Sequence, residues 1–200
     1  MYATHPTKSK LIEAVVTMLD TMDVDDLQVD QVLERSGVSK GSMYHHFTDF
    51  AHLIEAAHVY RFSRMIDASI EALVAVMSSS RSRDEMVEGL KKVTRSTQRP
   101  ELAALRFERA RALALAENHH RMREAMAAEQ GRLTDAITDI CREGQEKGWV
   151  RKQLDPRALA VFIQAYTLGK IVDDLAPAPM EPDSWIHLID DIVERVIAVD

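Results

Sequence analysis

With one cysteine, Cys141, the chain cannot close an intramolecular disulfide or gather a cysteine-based zinc cluster, and a reducing cytoplasm is its simplest setting. No apolar run approaches the roughly 18 residues of a membrane span, so no membrane partner is expected. The opening Met1-Tyr2-Ala3-Thr4-His5-Pro6 lacks the basic and apolar regions of a signal peptide. Positive charge is also short. Twenty-five Lys and Arg face 32 Asp and Glu, a net of -7, which argues against general electrostatic coating of nucleic acid or anionic lipid. Catalytic patterns are missing too: there is no Gly-x-Ser-x-Gly elbow, no glycine-rich phosphate loop and no convincing acid/base constellation. His119-His120 with Glu117 and Glu124 form no metal-ligand motif. No enzyme activity, metal or cofactor is expected.

What remains is helical. Leu11, Ile12, Val15, Val16 and Leu19 recur at helical spacing after Pro6-Thr7. From Phe50 a long apolar stripe runs through Leu53, Phe62, Ile66, Leu73 and Met77 to the polar break at Ser78-Ser79-Ser80. Further helices are predicted over Met86 to Val93, stopped by Arg99-Pro100, over 102–117, and from Met122 to about Glu146, ended by Gly148. The last two are predicted over about 156–174 and 183–198, with a stiff Ala176-Pro177-Ala178-Pro179 connection between them. No stretch calls for a sheet. The expected fold is all-α, with a three-helix head at 1–48 and a helical body at 49–200.

The most informative stretch is 28–47. It reads as two short helices broken at Ser36-Gly37, the form of a helix-turn-helix. Gly37 suits a left-handed helix end, and Ser39 can cap the next helix. Val32, Leu33, Val38, Met43 and Phe47 supply the apolar contacts, while Ser39, Lys40, Ser42, Tyr44, His45 and His46 remain polar or amphipathic. Residues 1–50 hold four Lys and Arg against eight carboxylates, yet 35–48 hold none of the latter. Any DNA-facing surface must therefore be narrow, which predicts selective rather than avid nonspecific binding. Ser39 and Lys40 sit where a first helical turn meets phosphate or guanine, or is simply solvated. Gly41 permits close approach to DNA or to a neighbouring helix. His45 and His46, about 100 degrees apart on the helix, are assigned to DNA and to its flank.

Val32-Leu33-Glu34-Arg35-Ser36-Gly37-Val38-Ser39-Lys40-Gly41-Ser42-Met43-Tyr44-His45-His46-Phe47, followed by Thr48-Asp49-Phe50-Ala51-His52-Leu53, resembles the TetR family of transcriptional regulators. The detailed resemblance covers about residues 8–55. It implies that Tyr44 donates its hydroxyl to phosphate, and that Gln28, where relatives often place threonine, either bonds phosphate or is plain polar surface. One departure stands out. Where relatives begin the fourth helix with Phe-x-x-Lys-Glu-x-Leu, this chain has Phe50, which cannot pair with phosphate and leaves Thr48 and Tyr44 as substitutes.

The resemblance further implies a ligand-responsive regulator, a repressor released by a small, largely apolar effector, acting as a homodimer on a double-stranded operator of two-fold or pseudo-two-fold symmetry. Two heads would read half-sites about 34 to 36 Å apart. Arg106, Phe62, Met65, Phe107, Arg111, His119, Met122, Met126, Phe162 and Tyr166 are the candidates for the effector pocket, though bundle packing calls for similar stripes. Phe162, Ala165, Gly169, Leu188, Ile192 and Val196 on the last two helices are the candidates for the dimer interface. A protein-interaction adaptor with a degenerate head, and a small helical enzyme, are the alternatives from other functional classes.

Overall fold

A computed structural model describes residues 5–199, apart from the side chains of Asn118 and Val196. Ten helices carry the described chain, which holds no strand; a single antiparallel bridge joins Val150 to Ala198. No described helix is long and apolar enough to cross a membrane. The chain divides into two compact units, Met1–Met65 with Leu115–Ala127, and Ile66–Ala114 with Ala128–Asp200.

In the first unit, α1 (Pro6–Leu19) starts where the His5 imidazole accepts the Thr7 N–H at 3.3 Å, with Pro6 preset for the first turn. Leu11, Ile12, Ala14, Val15 and Met18 form its buried stripe. The acidic Val24–Asp26 stretch forms its own 3₁₀ turn after α1 has ended. Next, α2 (Val29–Ser36) opens on a reciprocal cap between Gln28 and Gln31 and closes at Gly37, whose φ of 64° is the left-handed conformation that glycine adopts without Cβ strain. Ser39 Oγ then accepts the Ser42 N–H at 3.2 Å and begins α3 (Lys40–His46). Both α2 and α3 pack on α1 around Val32, Met43 and Phe47. The core of the head continues past residue 48, where the sequence places the boundary. Leu53, Ala56 and Ala57, on the first half of α4 (Phe50–Ser79), belong to the same buried cluster.

In the second unit, α5 (Arg83–Thr97) is capped by Ser82, and a 3₁₀ turn at Pro100–Leu102 leads into α6 (Ala103–Asn118). The end of α6 from Leu115 and the start of α7 (His120–Glu146) as far as Ala127 belong to the first unit, His119 separating the two helices, and beyond α7 Gly148 turns the chain with a φ of 74°. Asp155 accepts the Ala158 N–H at 2.7 Å and starts α8 (Pro156–Gly169). Ile66, Leu73, Met86, Val87, Leu133, Ile137, Ile189 and Val193 are buried in this unit.

Two predicted helices are interrupted. The span 156–174 breaks at Lys170 into α8 and α9 (Ile171–Asp174), and the buried Lys170 ammonium reaches Asp173 at 2.5 Å and Asp174 at 3.3 Å. The span 183–198 is α10 (Pro182–Asp191) followed by a π-helical segment, Ile192–Ile197. The chain then turns extended at Ala198. There Arg151 N–H donates to Ile197 and Val199 N–H to Trp149, both at 3.0 Å, so pairing with the segment after α7 replaces helical bonds.

Candidate nucleic-acid interface

The outward side of α3 is built by what is buried beneath it. Met43 is fully buried and Phe47 nearly so, which fixes the helix on the head and turns Ser39, Lys40, Gly41, Tyr44 and His45 to the surface. Tyr44 is 48% exposed, an unusual position for a large aromatic and one that offers its hydroxyl outward. Ser42 and His46 are half-buried. Ser39 is occupied as the helix cap, and its hydroxyl also bonds the Ser42 hydroxyl at 3.0 Å. Gly41 is open, with nothing near the position of an added Cβ. Gln28, exposed, serves as the cap of α2.

Thr48 sits in a polar knot at the start of α4. Its N–H donates to His52 Nδ1 at 3.3 Å, its hydroxyl to Asp49 at 3.3 Å, and Asp49 accepts the His52 N–H at 2.6 Å. That last bond, set against partial desolvation, holds the Asp49 carboxyl below its usual range. Phe50 leaves this helix start without its own cation, and Arg121 of α7 supplies one. Its guanidinium donates to Glu55 at 3.0 Å and 3.4 Å and reaches the Thr48 hydroxyl at 3.5 Å, while His119 stands 3.3 Å from Glu55. Hydrogen bonding to Glu55 raises the pKa of Arg121 above its ordinary value. Sequence reasoning missed Arg121 because nothing local links it to residues some seventy positions earlier.

The effector candidates fall in both units. Phe62, Met122 and Met126 are buried in the first, with Met65 half-buried and His119 exposed. In the second, Phe107 is half-buried and Arg111 faces solvent. Tyr166 bonds Thr94 at 3.2 Å, burial raising its phenol pKa, and Phe162 lies 5.6 Å from the Tyr166 ring. Arg106 is not available to a ligand, because Asp174 and the carbonyls of Thr97 and Arg99 occupy its guanidinium. A cleft of about 540 Å³ lies between the end of α5 and the start of α10, lined by Arg95, Arg99, Leu102, Pro182 and Ile186 among others; none of the sequence candidates borders it. No group of three or more His, Cys, Asp or Glu among the described residues is placed to hold a metal.

The second unit also leaves apolar residues uncovered. Phe162, Ala165 and Gly169 on α8 and Leu188 on α10 are exposed, as are Val161, Val172 at 77% and Leu175 at 71%. Ile192 is half-buried, and the Val196 side chain lies outside the described residues.

Two family descriptions match the sequence: "Bacterial regulatory proteins, tetR family" over residues 11–57, and "BetI-type transcriptional repressor, C-terminal" over residues 93–198. No relative among curated proteins matches. Solved structures share the fold at low identity. A TetR-family regulator of Mesorhizobium loti is 15% identical over 96% of this chain and 97% of its own, with a TM-score of 0.71. A TetR-family regulator of Cytophaga hutchinsonii is 17% identical over 97% and 96%, with a TM-score of 0.68. A transcriptional regulator of Saccharomonospora viridis, solved in complex with choline, is 15% identical over 96% and 98%, with a TM-score of 0.67.

Proposed function

Since this chain belongs to the TetR family of DNA-binding transcription factors, which are not enzymes, we propose that it is a ligand-responsive repressor released from its operator by a small molecule. The observation that carries the reading is α3. A short helix held by Met43 and Phe47 presents Lys40, Tyr44 and His45 outward in a segment free of carboxylates. Lys40 and His45 read the major groove. Ser39, Ser42, Tyr44, Gln28 and Thr48 set its register on phosphate, Gly41 permits the close approach, and His46 faces the flank. Arg121, beside Thr48, substitutes for the cation that Phe50 cannot provide.

The working form is a cytoplasmic homodimer on a two-fold or pseudo-two-fold operator. Its support is the exposure of Phe162, Ala165 and Gly169 along α8, of Leu188 on α10, and of Val172 and Leu175; a second copy removes such apolar surface from water. The effector is small and largely apolar; its candidate contacts are Phe62, Met65, His119, Met122 and Met126 within the first unit, and Phe107, Arg111, Phe162 and Tyr166 within the second. The DNA-binding domain spans 1–48 in the narrow sense, its core completed by α4, and the effector-binding and dimerisation domain follows. Because α4 runs unbroken from Phe50 to Ser79, a ligand that prefers one arrangement of the body shifts the heads and lowers operator affinity, by a typical coupling of about 1 to 3 kcal/mol.

Selecting duplexes from genomic DNA with the intact protein, then titrating compound panels against the selected complex, tests the reading. One sequence class enriched and released by a bound compound is the expected result. No enrichment refutes the regulator, and a compound that binds without changing DNA affinity refutes the switch.

A further inference from the structure

Beside the recognition helix, the head gathers basic side chains without a counter-charge. The ring of His5 lies 4.5 Å from that of His46, which lies 5.1 Å from that of His45. Lys8 Nζ stands 5.6 Å from the centre of the Phe47 ring, next in sequence to His46. We propose that His5, His46 and Lys8 form a seat for a DNA backbone phosphate, an arm of the interface on α1 in addition to those on α3. The inference rests on the DNA-binding reading and adds a contact and a proton linkage to it.

The geometry of His5 favours this role. Its Nδ1 accepts the Thr7 N–H at 3.3 Å, so in the neutral ring the proton sits on Nε2, a donor directed away from the helix it caps. His46 is faced from α1 by His5 and Lys8 and from its own helix by His45. On the α4 side, His52 lies at the edge of Phe47, 5.3 Å between rings, and spends Nδ1 on the Thr48 N–H. The nearby Asp49 is taken up by the His52 N–H, the Thr48 hydroxyl and Arg121. No described carboxylate bonds or ion-pairs with His5, Lys8, His45 or His46.

Partial desolvation, then the electrostatic influence of the nearby basic groups His5, His45 and Lys8, holds His46 below the ordinary histidine pKa. At neutral pH the free head therefore keeps this imidazole uncharged. A phosphodiester supplies the missing negative charge: it accepts hydrogen bonds from His5 Nε2, His46 and Lys8 Nζ, and it favours the protonated His46 ring. Binding DNA then draws protons from solution, so affinity rises as pH falls, by about tenfold per pH unit for each proton taken up.

The test measures affinity of the intact protein for a duplex recovered by selection, from pH 8 to pH 6 at fixed salt, with histidine Cε1–H resonances followed in parallel. The double variant His5→Asn with His46→Gln keeps an acceptor for the Thr7 N–H, and its thermal unfolding shows whether the head is intact. The expected result is affinity that climbs toward low pH in the parent. The double variant loses that climb and binds more weakly than the parent throughout, and in the parent the His46 resonance titrates higher with duplex present. Inorganic phosphate alone serves as the second arm; shifts equal to those caused by duplex would overturn the assignment to the DNA backbone. A parent whose affinity is flat in pH, or a double variant with the parent's slope, overturns the seat while leaving the DNA-binding reading intact. Failure of the parent to bind any duplex overturns both.

Discussion

Replacing Asp174 with alanine should cost the fold about 3–5 kcal/mol. The Arg106 and Asp174 side chains are 5% and 7% exposed, and the guanidinium meets the carboxylate twice, Nε to Oδ2 at 2.7 Å and Nη2 to Oδ1 at 2.9 Å. Nη1 donates to the carbonyls of Thr97 at 3.0 Å and Arg99 at 3.2 Å, and the buried Lys170 ammonium lies 3.3 Å from Asp174 Oδ1. Removing the carboxylate leaves two buried cations with only Asp173 between them, which water cannot solvate without opening the unit. Replacing both partners, Arg106→Met with Asp174→Leu, removes the charges together and leaves Lys170 its bond to Asp173. That variant should lose much less than the single one. Burial works against the Asp174 carboxylate, but hydrogen bonds from Arg106 and Lys170 outweigh it and hold the pKa below the ordinary value. The folded state therefore binds this proton less tightly than the unfolded chain does. The pair's contribution is complete above the ordinary Asp pKa of about 3.9 and is lost as pH falls through the lower folded value. Urea unfolding of the parent, both single variants and the double variant, at one protomer concentration because a dimer couples stability to concentration, reads these differences. A loss under about 1 kcal/mol for Asp174→Ala, or a double variant no better than the single, would refute the account.

Lys40→Ala should weaken operator binding and relax base preference within the half-site; a salt slope reduced by about one with base preference unchanged would refute the groove reading and place the ammonium on phosphate. Gly89→Ala puts a Cβ 2.6 Å from Val76 Cγ1 and should destabilise by about 1–3 kcal/mol, with partial recovery when Val76 is also replaced by alanine. Burial raises the Cys141 pKa to about 11, so a thiol reagent at pH 8 should leave the native protein unlabelled and react fully in urea; rapid native labelling would contradict that burial. Leu188→Glu places a charge among the exposed apolar residues and should shift sedimentation toward a monomer, with operator affinity falling in step.

Local chemistry was readable residue by residue. Gly37 and Ser39 announce the turn and cap between α2 and α3, Asp155-Pro156 announces α8, and the spacing of Leu11, Ile12 and Val15 fixes the buried side of α1. All depend on hydrogen bonds or side-chain periodicities spanning only a few residues. The extended turn at Ala198 was not readable, because it follows from pairing with Val150, distant in sequence, and the Arg106 bond to Asp174 beside the break at Lys170 likewise joins residues 68 positions apart. The apolar stripes of the body likewise do not say which of their members pack and which stay open. Met122 and Met126 are sealed in core while Phe162 is not.

By itself, then, the sequence determined the all-helical class, the helix-turn-helix and the polar ridge from Ser39 to His45, since near neighbours dictate caps, turns and amphipathic faces. Tertiary structure alone decided that Arg121 stands beside Thr48, that His5 meets His46, and that Arg106 is spent on Asp174. Such encounters join side chains separated by 41 to 73 positions, and only the packing of whole helices brings them within reach.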